Sequence, residues 1–192
     1  VVDQGSFDLK VIDVSNPAAP VTVGTLALGT PIDIAVAGHY AYVVDTTSTD
    51  LKVIDVSNPA APVKVGTLAI GTFPTGLAVA GRYVYVTDQI SAEFRVIDVS
   101  KPVAPVTVST LALGEAPYGL AVAGRYAYVV DVTLGDFKII DVSNPAAPVT
   151  VGTLALGVTP YNLAVAGRYV YVVDQGSDDL KIIDVASSSA PV

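Results

Sequence analysis

Cysteine and methionine are both absent from this 192-residue chain, and histidine occurs once, at His39. Without thiols there is no disulfide, no cysteine nucleophile and no thiolate metal site. A single imidazole cannot build a zinc centre, which needs several nitrogen or sulfur ligands. Position 1 is Val, and no basic segment followed by an apolar stretch opens the chain. We therefore expect either a signal peptide already removed or an excerpt of a longer chain. No apolar run reaches the roughly 18 residues of a membrane helix, so no transmembrane segment is expected. Charged residues make up 15%, with a net charge of -8 and a pI near 4.3. That balance disfavours nucleic acid, whose phosphates call for clustered Lys and Arg. Also missing are an N-x-S/T sequon, a G-x-S-x-G elbow, a P-loop and a dinucleotide fingerprint. Apolar residues are abundant instead, at 52% with a mean hydropathy of +0.59, which suits a packed fold and not a disordered chain.

A unit of 42 or 43 residues recurs along the whole length. The acid of the motif V/I-I-D-V falls at Asp13, Asp55, Asp98, Asp141 and Asp184, and A-G-R/H-Y-x-Y-V places Tyr40, Tyr83, Tyr126 and Tyr169. Ser15–Gly29 and Ser143–Gly157 are identical, SNPAAPVTVGTLALG. A period of this size marks a solenoid, a propeller or an array. The spacing divides the chain into a partial repeat (1–28), three repeats (29–71, 72–114, 115–157) and a final repeat (158–192) without its last strand. Such sameness suggests that most positions serve packing.

Within a unit the apolar period is two and the residues are Val, Ile, Tyr and Thr, which predicts strands. In one unit these are Tyr118–Ala123, Arg125–Asp131, Phe137–Ser143 and Pro148–Leu156, separated by a Gly124 turn and by the two prolines of Ser143–Pro148. Four antiparallel strands per unit make a blade, so the fold class is all-β, a β-propeller-type array of four full repeats and a half. The segments LKVIDVSNPAAPV (Leu9–Val21 and Leu51–Val63), FRVIDVSKPVAPV (Phe94–Val106) and FKIIDVSNPAAPV (Phe137–Val149) resemble the LVIVD repeat family. That resemblance implies a secreted or cell-surface propeller. Closure is open to three readings: a four-bladed ring completed by the N-terminal strands, a five-bladed ring with a short blade, or exchange of terminal strands between subunits.

The candidate residues sort by face. One face would carry Asp45, Asp88, Asp131 and Asp174 at the ends of the second strands, with Phe73, Tyr118 and Tyr161 around the mouth of a central channel. These are candidate binding residues, because aromatic faces beside carboxylates suit carbohydrate; the plainer reading of the acids is turn chemistry. The opposite face carries Arg82, Arg125 and Arg168, placed to pair with Asp98, Asp141 and Asp184; Asp13 and Asp55 hold the same structural position. The loop with Asp174, Asp178 and Asp179 is the one candidate for calcium, although it lacks the alternating D-x-D-x-D-G ligands, and no other cofactor is expected. His39 stands where other units have arginine and reads as a turn substitution.

These features lead to the expectation of a noncatalytic extracellular structural scaffold, not an enzyme, that self-associates as a fibre or surface-layer subunit. The alternative is a ligand-binding propeller that recognises glycan or protein through its acidic, Tyr-bearing face.

Overall fold

Eighteen strands and no helix make up the chain in a computed structural model that describes all of Val1–Val192. Blade 1 contains β1 (Val2–Asp3), β2 (Asp8–Asp13) and β3 (Val21–Ala27); blade 2 contains β4 (Pro31–Ala37), β5 (Tyr40–Asp45), β6 (Asp50–Asp55) and β7 (Val63–Ala69). Blade 3 follows with β8 (Pro74–Ala80), β9 (Tyr83–Asp88), β10 (Glu93–Asp98) and β11 (Val106–Ala112). Blade 4 has β12 (Pro117–Ala123), β13 (Tyr126–Asp131), β14 (Asp136–Asp141) and β15 (Val149–Ala155), and blade 5 has β16 (Pro160–Ala166), β17 (Tyr169–Asp174) and β18 (Asp179–Asp184). Each blade is an antiparallel meander, four-stranded in the middle three and three-stranded at the two ends. No helix is long and apolar enough to cross a membrane.

The strand ends follow from the backbone chemistry. First and second strands join through two residues, Gly then Arg or His, with φ between +57° and +60° at Gly38, Gly81, Gly124 and Gly167. Positive φ at the first turn residue alone is the type II′ hairpin, whose twist matches the flanking strands. Arg125 therefore lies in the turn and the strand begins at Tyr126, while Pro148, which cannot donate to a ladder, precedes the fourth strand.

Alternation gives every blade two apolar faces, and burial of both dictates a stack. Tyr42, Val44, Leu51 and Val53 on the leading face of blade 2 meet Val84, Val86 and Ile97 on the trailing face of blade 3. The same arrangement recurs between blades 3 and 4 and between blades 4 and 5. Leu9 and Leu26 of blade 1 cover Val43 and Ile54 of blade 2. The second tyrosine of each Tyr-x-Tyr pair reinforces these seams, with Tyr85 stacked on Phe94 at 5.7 Å and Tyr128 on Phe137 at 6.0 Å.

The arc stays open. β3 pairs with β2 of its own blade and does not complete the last one, and blades 5 and 1 do not pack on one another as successive blades do. Neither closure within the chain is therefore made. The array has a three-stranded blade at each end, and a closed ring would need strands from elsewhere. On the leading face of blade 5, Leu180 and Ile182 are 57% and 59% exposed, whereas their counterparts Phe137 and Ile139 are fully buried.

This difference gives a stability prediction. Phe137→Ala should cost about 3–5 kcal/mol through lost burial and a cavity, and Leu180→Ala less than about 1 kcal/mol. Denaturant unfolding of the two variants measures the contrast; equal losses would contradict the stacking described.

Candidate functional site

The inner strands β4, β8, β12 and β16 pack side by side and line the channel axis. Each carries an irregularity just after its first proline: Pro31 pairs with Asp45 but Asp33 with Val44, so Ile32 is an extra residue, and the same shift occurs at the equivalent points of the other three. Bulges of this kind re-aim side chains. Here they coincide with a funnel of about 230 Å³ whose wall includes Asp33, Thr75, Tyr118, Tyr161, Asn162 and Gln4.

Two glycines in the same wall let the strands approach. A Cβ at Gly76 would lie 2.3 Å from the Tyr118 carbonyl oxygen, and one at Gly119 would lie 2.9 Å from the Tyr161 carbonyl oxygen. At the matching position the flanking blades instead have Asp33 and Asn162. The Asp33 carboxylate reaches across to blade 3, accepting the Leu77 N–H at 2.9 Å through Oδ2 and the Ile34 N–H at 2.8 Å through Oδ1. Burial nevertheless pushes its pKa up, against the two hydrogen bonds. Tyr118 and Tyr161 lie with ring centroids 4.3 Å apart and hydroxyls joined at 2.5 Å. Burial, the Tyr161 hydrogen bond and the nearby Asp33 charge together push the Tyr118 hydroxyl up to about 12, so it remains protonated.

A buried hydroxyl pair holds this arrangement. Thr87 Oγ1 donates to the Tyr118 carbonyl at 2.7 Å and accepts the Gly76 N–H at 2.9 Å, while Thr75 Oγ1 donates to the Pro117 carbonyl at 3.1 Å. The backbone of Tyr118 is thus clamped from blade 3. Thr87 replaces the Val found at this point in blades 2, 4 and 5 (Val44, Val130, Val173).

The structure places the sequence candidates in several different roles. Tyr118 and Tyr161 come together in the funnel; Phe73 lies outside its wall, with its N–H donated to Asp88 at 3.1 Å. Asp45, Asp88, Asp131 and Asp174 are buried, so they form no exposed acidic ring. Asp45 accepts the Thr47 and Ser48 N–H groups at 2.9 and 3.1 Å and the Gly29 N–H at 2.7 Å, tying the hairpin after the second strand to the link entering the blade. Asp131 does the same with Thr133, Leu134 and Ala116. Burial would raise the Asp45 pKa, yet the Ser48 N–H and Lys52 outweigh it and hold the group at about 2.

On the opposite face Asp98 pairs with Arg82 at 2.7 Å, and Asp141 and Asp184 pair with Arg125 and Arg168. The other oxygen of each accepts the N–H two residues on, as it also does in Asp13 and Asp55. Each arginine lies over the ring of the following tyrosine, at 5.1 or 5.2 Å. The calcium candidate loop has a different occupant. Lys181 Nζ lies 2.7 Å from Asp179 and 3.4 Å from Asp174, so an ammonium supplies the positive charge between these acids. No three acidic or imidazole side chains converge into a metal-binding group. Sequence reasoning missed Asp33, Asn162, Thr75 and Gln4. The available signal was departure from the repeat: polar side chains at Asp33 and Asn162 where the middle units have Gly76 and Gly119.

The profile of the LVIVD repeat matches residues 1–27, 29–69, 75–112, 117–155 and 161–192. The chain belongs to the LVIVD repeat family. No curated protein sequence matches it. Among solved structures it is similar to a protein from Lactobacillus plantarum (14% identity, TM-score 0.85, covering 100% of this chain and 65% of the other). It is also similar to the periplasmic gluconolactonase of Pseudomonas aeruginosa (17%, 0.81, 96% and 61%). A third is a candidate 6-phosphogluconolactonase from Bacteroides fragilis (13%, 0.82, 96% and 63%). This LVIVD chain thus spans between 61% and 65% of the length of these structures, and at such identities the likeness is one of fold.

These matches correct the functional expectation. The expectation of a noncatalytic scaffold that self-assembles into a filament or surface layer is overturned, and with it the exclusion of an enzyme, because the propellers that share this fold include two named as lactonases. The alternative, a ligand-binding propeller, is the better supported. The error has a physical origin: near-identity of the repeats was read as packing throughout, whereas the inner strands differ just after their first prolines, and the differing side chains Asp33, Thr75, Tyr118, Tyr161 and Asn162 share one funnel.

The carboxylates of the two faces give a pH prediction. Arg125 and the Ser143 turn hold Asp141 at about 2, and Asp45 stands at the same value. Both lie below the unfolded value near 3.9, so their stabilisation is complete above about pH 4 and lost as pH falls through about 2. Thermal midpoints followed by circular dichroism should be level from pH 7 to 5 and fall steeply below 4. A midpoint unchanged at pH 2.5 would contradict these roles.

Proposed function

We propose that this LVIVD chain builds the central-channel site of a ligand-binding propeller that takes a polyhydroxylated small molecule or the end of a glycan. Opening of a cyclic ester is the reaction class its wall is equipped for. The observation that carries the reading is the convergence of Asp33, Asn162, Tyr118 and Tyr161, all at the bulged starts of inner strands, on one funnel. Paired tyrosines offer apolar ring surface to a sugar face, and Asn162 and Gln4 offer amide groups to hydroxyls. The lactonase names of two similar propellers favour the same class of ligand.

The chemistry follows from the groups present. A carboxylate whose pKa is raised by burial is a stronger base than an exposed one. Of the two tyrosine hydroxyl hydrogens one is used within the pair, which leaves the other for an acceptor on the ligand. A water attacks the lactone carbonyl carbon and Asp33 takes its proton, while the tyrosine hydroxyl stabilises the developing oxyanion. The ring C–O bond then breaks and the proton passes from Asp33 to the departing alkoxide. An ion bound at this site would take side-chain oxygen from Asp33 and Asn162 and water for its remaining positions. A location outside the cytoplasm is favoured by the periplasmic location named for one similar propeller.

The test is lactone hydrolysis followed by carboxylate release, with saturation-transfer NMR of D-glucono-1,5-lactone and glucose as the binding readout. Asp33→Asn should lower turnover by about 100-fold or more with binding retained, and Tyr118→Ala should remove binding. Absence of any saturation transfer, or binding unchanged by Tyr118→Ala, would overturn the proposal.

A further inference from the structure

We infer that the funnel selects against anionic ligands, taking the neutral form of a sugar or lactone in preference to its phosphorylated form. This deepens the reading above and rests on it. The two similar lactonase structures are named for different substrates, one phosphorylated and one not, and the lining of the funnel distinguishes between these chemistries.

A phosphate is held best by cations, and the funnel supplies none. Its only charged side chain is Asp33, and no Lys, Arg or His contributes to the wall. All eleven such residues lie elsewhere. Lys10, Lys52, Arg95, Lys138 and Lys181 are on the third strands, each already paired with a neighbouring carboxylate. His39 and Arg82, Arg125 and Arg168 occupy the hairpin turns at the other end of the inner strands. Lys64 is on the outermost strand of blade 2, and Lys101 lies in the link between β10 and β11.

Two backbone donors of blade 3 beside the funnel are already engaged. The N–H of Gly76 is taken by Thr87 Oγ1 and that of Leu77 by the Asp33 carboxylate. With no helix in the fold, no helix N-terminus points at the channel. Asp33 therefore meets an incoming phosphate as like charge in a partly desolvated wall, where repulsion is little screened. Neutral hydroxyls meet the same carboxylate as hydrogen-bond donors.

The experiment compares glucose with glucose 6-phosphate, and D-glucono-1,5-lactone with its 6-phosphate, by saturation-transfer NMR titration at low and at physiological ionic strength. The neutral member of each pair should bind at least about tenfold more tightly, and the gap should narrow with salt and in Asp33→Asn. Ile32→Lys, which adds a cation to the wall without touching the tyrosines or Asp33, should raise affinity for the phosphorylated form. Equal or tighter binding of the phosphorylated form by the unaltered protein would overturn the inference while leaving the ligand-binding proposal standing. Binding of neither form would overturn both.

Discussion

The carboxylate that ends the second strand of each blade is the constraint on which the upper face depends. Asp45, Asp88 and Asp131 each gather N–H groups from the hairpin that follows and from the link that enters the blade. A buried carboxylate is costly unless its oxygens are satisfied, and these loops satisfy them. Each link runs directly into the bulged start of an inner strand, so the same hydrogen bonds that neutralise the cost of burial also set where the funnel residues begin. Asp174 in blade 5 keeps both the hairpin contacts at Gly176 and Ser177 and the link contact at Thr159, all through Oδ1, while its Oδ2 faces Lys181 at 3.4 Å.

Stacking of blades supplies the second layer of the account. A sheet with apolar side chains on both faces cannot stand alone, and each internal seam repeats one arrangement of Val, Ile, Leu and aromatic rings. The inner strands are brought close enough by Gly76 and Gly119 that side chains from blades 2 to 5, with Gln4 of blade 1, share one small volume. The site therefore belongs to no single repeat. Blade 2 contributes the carboxylate, blade 3 the hydroxyl clamp, and blades 4 and 5 the tyrosines.

Much of the fold could be read from the sequence because the signals were local and repeated. Period-two alternation, the Gly-Arg turn and the Ser-Asn-Pro-Ala-Ala-Pro break all act within a few residues, and repetition made them unambiguous. The funnel was harder to see. Tyr118 and Tyr161 were legible as aromatic departures beside prolines, but Asp33 follows an apolar Ile and precedes another, and only the three-dimensional register sets it against Leu77. The acids at the second-strand ends misled in the opposite direction. Their sequence context is polar loop, and nothing local shows that the loop folds back to bury them. Lys52 and Lys181 were overlooked for the same reason, since pairing with an acid two residues earlier and another across the hairpin depends on the register of β5 with β6 and of β17 with β18.

The central claim is that the residues just after the first prolines of the inner strands form one ligand site at the channel mouth. The most direct measurement is a crystal structure of this chain soaked with D-glucono-1,5-lactone or glucose. The account predicts ligand density in the funnel, against the Tyr118 and Tyr161 rings and within hydrogen-bond reach of Asp33 or Asn162. Density confined to the exposed leading face of blade 5, or to the outer surface, with the funnel holding only solvent, would contradict it.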